Sequence, residues 1–168
     1  MNRETINTAL LFVGLILLQI IVLNNINFLG YINPFLYILF IFVYPIKKID
    51  STLLFLSFFL GLIIDFFADT GGVNAAATLF IAFIRIPVLK SVIGKREIDY
   101  NSLSLKRLPF YKTISYVSIL TVIHHFILFS LEYFKWDNFY LILTKTFLTS
   151  IFTIILVLIS FTFISRKK

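Results

Sequence analysis

The sequence predicts an all-α, polytopic membrane protein with six transmembrane helices, and three observations carry that prediction. Of 168 residues, 60% are hydrophobic and 14% charged, against about 45–50% and about 25% in soluble domains. A soluble core of this size cannot hide so much apolar surface, so lipid must solvate part of it. The apolar residues also fall in continuous runs close to the ~20 residues a helix needs to cross the hydrocarbon core. They lack the dyad alternation of an outer-membrane barrel. Finally, Lys and Arg alternate between successive connections in the manner of a topology signal.

The first span runs over 5–23 and stops at Asn24-Asn25. Arg3 and Glu4 precede it and no small-residue cleavage site follows it, so it reads as a retained helix rather than a cleaved signal peptide. The second, 28–46, is the least regular: Gly30, Asn33 and Pro34 interrupt it and Pro45 closes it. The third covers 51–68 and the fourth 73–93, where Pro87 is expected to bend the helix. A polar stretch from Lys95 to Arg107 leads to the fifth, 111–134, and the sixth, 139–164, has no Pro or Gly. The six spans form one domain.

With six crossings, Arg3, Lys47, Lys48, Lys90, Lys95, Arg96, Lys106, Arg107, Lys112, Arg166, Lys167 and Lys168 share one side, 12 of the 15 basic residues. Lys135 alone lies opposite, and Arg85 and Lys145 fall within spans. The positive-inside rule then places both termini in the cytoplasm. Removing the second span would scatter these charges over both faces, so the charge pattern supports it better than hydropathy does. The formal charge of +7 is therefore a membrane signal, and nucleic acid is not an expected partner.

The absence of Cys excludes disulfides, thiolate metal sites and cysteine nucleophiles. Ionisable residues inside spans are costly and are candidates for function. Gly61 and Asp65 are four residues apart on one face of the third span. Gly61 would let a neighbouring helix approach, with the Asp65 carboxylate beside that contact. Asp69 follows near the outer end, then Thr70-Gly71-Gly72-Val73-Asn74, a tight turn in which Thr70 or Asn74 could cap a helix. Asp65 is expected to anchor a neighbouring helix, with a proton or ligand site as the competing reading. Lys145 lies within ~3 Å of the same depth, so an Asp65–Lys145 ion pair is expected. Arg85 sits deeper, and is expected to snorkel to the interface or to bind backbone carbonyls.

His124 and His125 are adjacent, about 100° apart on a helix, and lack the i, i+4 spacing of a helical metal pair. Interhelical hydrogen bonding is the expected role for them and for Gln19. No metal site, cofactor site, nucleophilic triad or phosphate loop is discernible, and the chain is expected not to be an enzyme. The basic stretch 95–107, interleaved with Ile98, Tyr100, Leu103 and Leu105, reads first as topology signal and second as a surface for anionic lipid or a cytosolic partner.

The run Gly61-Leu-Ile-Ile-Asp65-Phe-Phe-Ala-Asp69-Thr-Gly-Gly72-Val-Asn-Ala75 resembles the MreD family of bacterial rod-shape-determining membrane proteins. These have a glycine–aspartate pattern ending one helix, then a glycine turn and small residues opening the next. The length, the six spans and the basic tail are similar too, and the Phe-, Asn- and Ile-rich usage with Lys over Arg resembles the Bacteroidetes branch. The resemblance implies a non-enzymatic scaffold of the cell-elongation machinery in the bacterial inner membrane, linking an MreC-like protein and an MreB-like filament to a RodA/transpeptidase wall synthase in peptidoglycan synthesis. It also implies a fold similar to the substrate-binding subunits of energy-coupling-factor transporters, with Gly61, Asp65 and Gly72 as packing or partner-contact residues.

The alternative is a vitamin-type substrate-binding subunit of a membrane transporter. Against it, the first span has Ala9 and Gly14 but no alanine four residues from Ala9, and the external connections are short. An integral-membrane enzyme would need ligands gathered at one depth, and only the Asp65–Lys145 level offers any.

Overall fold

In the computed structural model, residues 3–26, 32–47, 50–94, 105, 108–134 and 138–166 are described. The expected basic stretch 95–107, apart from Leu105, lies outside them, as do Lys48, Lys135 and the last two lysines. The helices are α1 (Arg3–Ile21), α2 (Leu39–Val43), α3 (Ser51–Ala68), α4 (Val73–Ile93), α5 (Phe110–Glu132) and α6 (Phe139–Arg166). Five of them, α1 and α3 to α6, are long and apolar enough to cross a membrane. At 1.5 Å per residue the 21 residues of α4 span ~31 Å, the thickness of a hydrocarbon core.

The bundle carries its large apolar side chains outward as well as inward. Phe55, Phe66, Phe67, Phe83 and Phe147 are all more than 60% exposed, an arrangement that water would penalise and lipid does not. The fold is that of an all-α, multi-pass membrane protein.

The second span differs from the other five. Over the described residues it has no regular structure at 33–35, forms a 3-10 turn at Leu36–Ile38, continues as the short α2 and leaves the helix at Tyr44. Two prolines explain this. Pro34 lacks an N–H and biases Asn33 away from helix, and Pro45 does the same to Tyr44, whose ψ is 138°. The segment nonetheless crosses the bundle antiparallel to α1: Asn33 bonds Asn24, Pro34 and Tyr37 bond Gln19, and Phe40 meets Phe12 edge-on at 5.3 Å.

The broken segment is also the centre of the molecule. Residues Leu36 to Phe42 are all buried, several completely. They touch α1 through Phe40, α4 through Tyr37 and Ile41, and α5 through Phe42 against Tyr116, while the preceding Phe35 meets α6 at Thr153. Around it α3, α4, α5 and α6 pack in chain order, and α1 lies against α3. Irregular backbone at membrane depth is tolerated where protein encloses it, and here it is enclosed on several sides. One end of the bundle carries Asn24, the α3–α4 turn, the end of α5 and the start of α6. The other carries Asp50, the end of α4 and the start of α5.

Candidate functional site

With no water to bond them, helix ends inside a bilayer need partners from the protein itself. Four ionisable side chains near or within the spans, Asp50, Asp65, Arg85 and Lys112, meet that need.

Asp65 caps the start of α4. One carboxylate oxygen accepts from the Asn74 backbone N–H at 3.0 Å, the Asn74 side-chain amide at 3.0 Å and the Thr70 hydroxyl at 2.6 Å. The other accepts from the Ala75 N–H at 2.8 Å. A carboxylate at a helix N-terminus also meets the positive end of the helix dipole. The chain can fold back this sharply because Asp69, Gly71 and Gly72 all take positive φ. The Thr70 N–H reaches back to the Asp65 carbonyl at 3.2 Å, the longer bond of a Schellman turn. Asp69 is exposed and serves as the left-handed residue of that turn, a conformation Asp tolerates better than most side chains.

Gly61 sets the distance. A Cβ there would stand 2.5 Å from the Ala75 Cα and 2.6 Å from the Ala75 nitrogen, so α3 and the first turn of α4 touch backbone to backbone. Only that approach lets the Asp65 side chain reach the N–H groups of α4. Gly61, Asp65 and the turn through Gly72 thus form a single latch, as the sequence spacing leads one to expect. Thr70 and Asn74 brace the carboxylate rather than capping by themselves.

Arg85 binds carbonyls and does not snorkel. It is 2% exposed and donates to the carbonyls of Ile41 at 3.0 Å, Tyr44 at 3.4 Å and Pro45. The cause lies in Pro45. The Ile41 carbonyl would ordinarily accept from the N–H four residues on, and proline has none. The guanidinium supplies the missing donor and places a cation at the C-terminal end of α2, where the helix dipole favours it. At the other end of this segment, Gln19 accepts from the Tyr37 N–H at 3.4 Å while donating to the Pro34 carbonyl at 3.0 Å. The Phe35 N–H donates to Thr153 at 3.1 Å. Asp50 caps α3 through the Leu53 N–H at 3.1 Å, and Lys112 closes α4 through the Ile93 carbonyl at 2.9 Å.

The two histidines diverge, as their 100° separation requires. His124 faces Tyr37 and Thr78, with its Nε2 3.1 Å from the Tyr37 oxygen. The Tyr37 hydroxyl donates to the Asn74 side-chain oxygen at 2.9 Å, so His124 carries its proton on Nε2, and its Nδ1 lone pair has no partner among the described residues. His125 faces α6: Nδ1 donates to the Thr121 carbonyl at 2.8 Å, and Nε2 lies 3.4 Å from Thr153. A continuous buried chain therefore runs Asp65–Asn74–Tyr37–His124, joining α3, α4, the broken segment and α5. Tyr37 is the member that sequence reasoning missed. Its only sequence signal is a phenol between apolar residues in the span with most breaks.

The expected Asp65–Lys145 ion pair is not formed. Depth was matched, but neighbourhood was not: α3 packs on α4 and α1, whereas α6 packs on α5 and α2. The Asp65 oxygens are occupied by α4, and the Lys145 ammonium donates to the Tyr133 hydroxyl over the rings of Tyr133 and Phe129. Among the described residues no group of three or more His, Asp or Glu is placed to hold a metal ion. No protein-family model, curated protein or solved structure matches this chain.

Proposed function

We propose that this multi-pass membrane protein is a non-enzymatic scaffold of the bacterial cell-elongation machinery. It would reside in the inner membrane with both termini in the cytoplasm, and link MreC-like and MreB-like proteins to a RodA/transpeptidase wall synthase. The observation that carries the reading is the use made of the intramembrane polar groups. Asp65, Arg85, Gln19 and His125 bond to this chain's own backbone and neighbouring side chains, which fixes helices against one another. Groups engaged in this way are not free to meet a substrate. The Gly61–Ala75 sequence, on which the family resemblance rests, is the latch itself, so a family-like motif with a structural task is in keeping with a scaffold.

Affinity purification of the tagged protein from its native membrane in mild detergent, with mass spectrometry of the co-purifying proteins, tests this. Recovery of an MreC-like protein with wall-synthesis enzymes is the expected result. Recovery of ATPase subunits with a coupling membrane protein would replace the proposal with transport.

A further inference from the structure

Lys145 stands apart from the capping residues: it closes no helix. It lies six residues into α6 and is partly buried, ~9 Å from the start of the helix. Its side chain turns back toward that start, as helical side chains do, and reaches Tyr133 at the end of α5. The ammonium lies 4.8 Å from the Tyr133 ring centroid and 6.0 Å from that of Phe129. Phe134 and Tyr140, 84% and 83% exposed, flank the same end of the bundle. Aromatic residues of this kind gather at the headgroup level of a bilayer.

Donor arithmetic identifies what is missing. An ammonium has three N–H donors and no acceptor. One goes to the Tyr133 oxygen, so the phenol proton is not used in that bond and points elsewhere. Two ammonium N–H groups and one phenol O–H therefore have no acceptor among the described residues. No carboxylate among those residues pairs with Lys145, and Asp65, the acidic group at similar depth, is occupied by α4. The ring faces attract the cation but accept none of these protons in hydrogen bonds of normal strength. The complement is a group rich in anionic oxygens, reached from the lipid side at headgroup level.

We propose that Lys145 and Tyr133 form a binding site for the phosphate of an anionic lipid headgroup at the Asn24 end of the bundle. The ammonium and the phenol each donate to phosphate oxygens, while the Tyr133 and Phe129 rings hold the lysine stem in place. A net-negative lipid is favoured over a zwitterionic one, which brings its own cation toward Lys145. The site is independent of the scaffold role.

The test uses the full chain, purified in detergent and titrated with phosphatidylglycerol or with phosphatidylcholine of the same acyl chains, read by native mass spectrometry. Phosphatidylglycerol should bind about fivefold more tightly, the contribution of one lysine at an anionic membrane surface. Lys145→Met should abolish the preference, Lys145→Arg should keep it, and Tyr133→Phe should reduce it. Equal binding of the two lipids by the wild-type chain overturns the proposal. So does a preference that survives Lys145→Met, which would place the lipid on the basic residues of the opposite end. Displacement of phosphatidylglycerol by millimolar inorganic phosphate also overturns it, in favour of a free-anion site. Should Lys145→Met fail to fold, the wild-type preference and its response to Tyr133→Phe decide.

Discussion

The α3–α4 latch and the broken second segment solve the same problem in opposite ways. Each leaves helix ends inside a bilayer. The latch is capped from within: Asp65 reaches Asn74 and Ala75, nine and ten residues away in sequence. The segment around α2 is capped from afar, by Gln19 of α1, Arg85 of α4 and Thr153 of α6, and Thr153 lies 118 residues from its partner Phe35. A local cap forms as soon as its two helices pair. A remote cap exists only once the bundle has closed, so the centre of this protein depends on the assembly of everything around it.

Substitutions in each region test this contrast. The largest effect is expected at Gly61, where any Cβ meets backbone. Overpacking costs about 1–3 kcal/mol and occasionally more. Gly61→Ala should fall at the upper end of that range, and Gly61→Val should prevent the folded protein from accumulating in membranes, as read by immunoblot and by size-exclusion chromatography in detergent.

Arg85→Met comes next. Three carbonyls lose their donor, each worth about 1–3 kcal/mol if left unsatisfied, so a loss of roughly 3 kcal/mol is expected in thermal or denaturant unfolding. Because the lesion is remote from the latch, hydrogen exchange should rise over 36–47 before it rises over 61–78. Simultaneous loss of protection in both would show that the two regions form one cooperative unit. Arg85→Lys keeps the charge but not the fork of donors, and should restore only part of the loss.

Asp65→Asn should be milder, about 1–2 kcal/mol, in the range of a lost helix cap. The amide retains one acceptor oxygen but turns its NH2 toward a donor. Its exchange signature should be the reverse of that of Arg85→Met, beginning at the start of α4.

Lys145→Met should be the smallest, within about 1 kcal/mol, because the contacts removed are one hydrogen bond and two ring contacts near the end of the bundle. Combined with Asp65→Asn it should be additive to within about 0.5 kcal/mol, as distant sites are. A coupling above 1 kcal/mol would restore the ion pair that the helix arrangement excludes.

Much of the fold was legible in the sequence because lipid imposes simple rules. Apolar runs of spanning length mark helices, and the bounds read for the third and fourth spans coincide with α3 and α4. The latch was legible because its parts lie within fifteen residues and obey helical spacing: Gly61 and Asp65 share a face, and the glycines mark the turn. Even the second span announced its irregularity through Pro34 and Pro45. The Asp65–Lys145 pairing was misread because sequence supplies depth along a helix but not azimuth around the bundle. Two residues at one level can face opposite neighbours. His124 and His125 show the complementary case, in which the 100° rule required them to part but could not name Tyr37 or Thr153 as their partners.

Local periodicity and transfer free energy therefore set the helical class, the five helices of spanning length and the self-contained turn between α3 and α4. Which helix lies beside which, and hence which donors meet the orphaned carbonyls of the broken segment, is settled by tertiary packing alone. The physical reason is that a hydrogen bond needs two groups within about 3 Å. For groups 15 to 118 residues apart, no local rule fixes that distance until the bundle has packed.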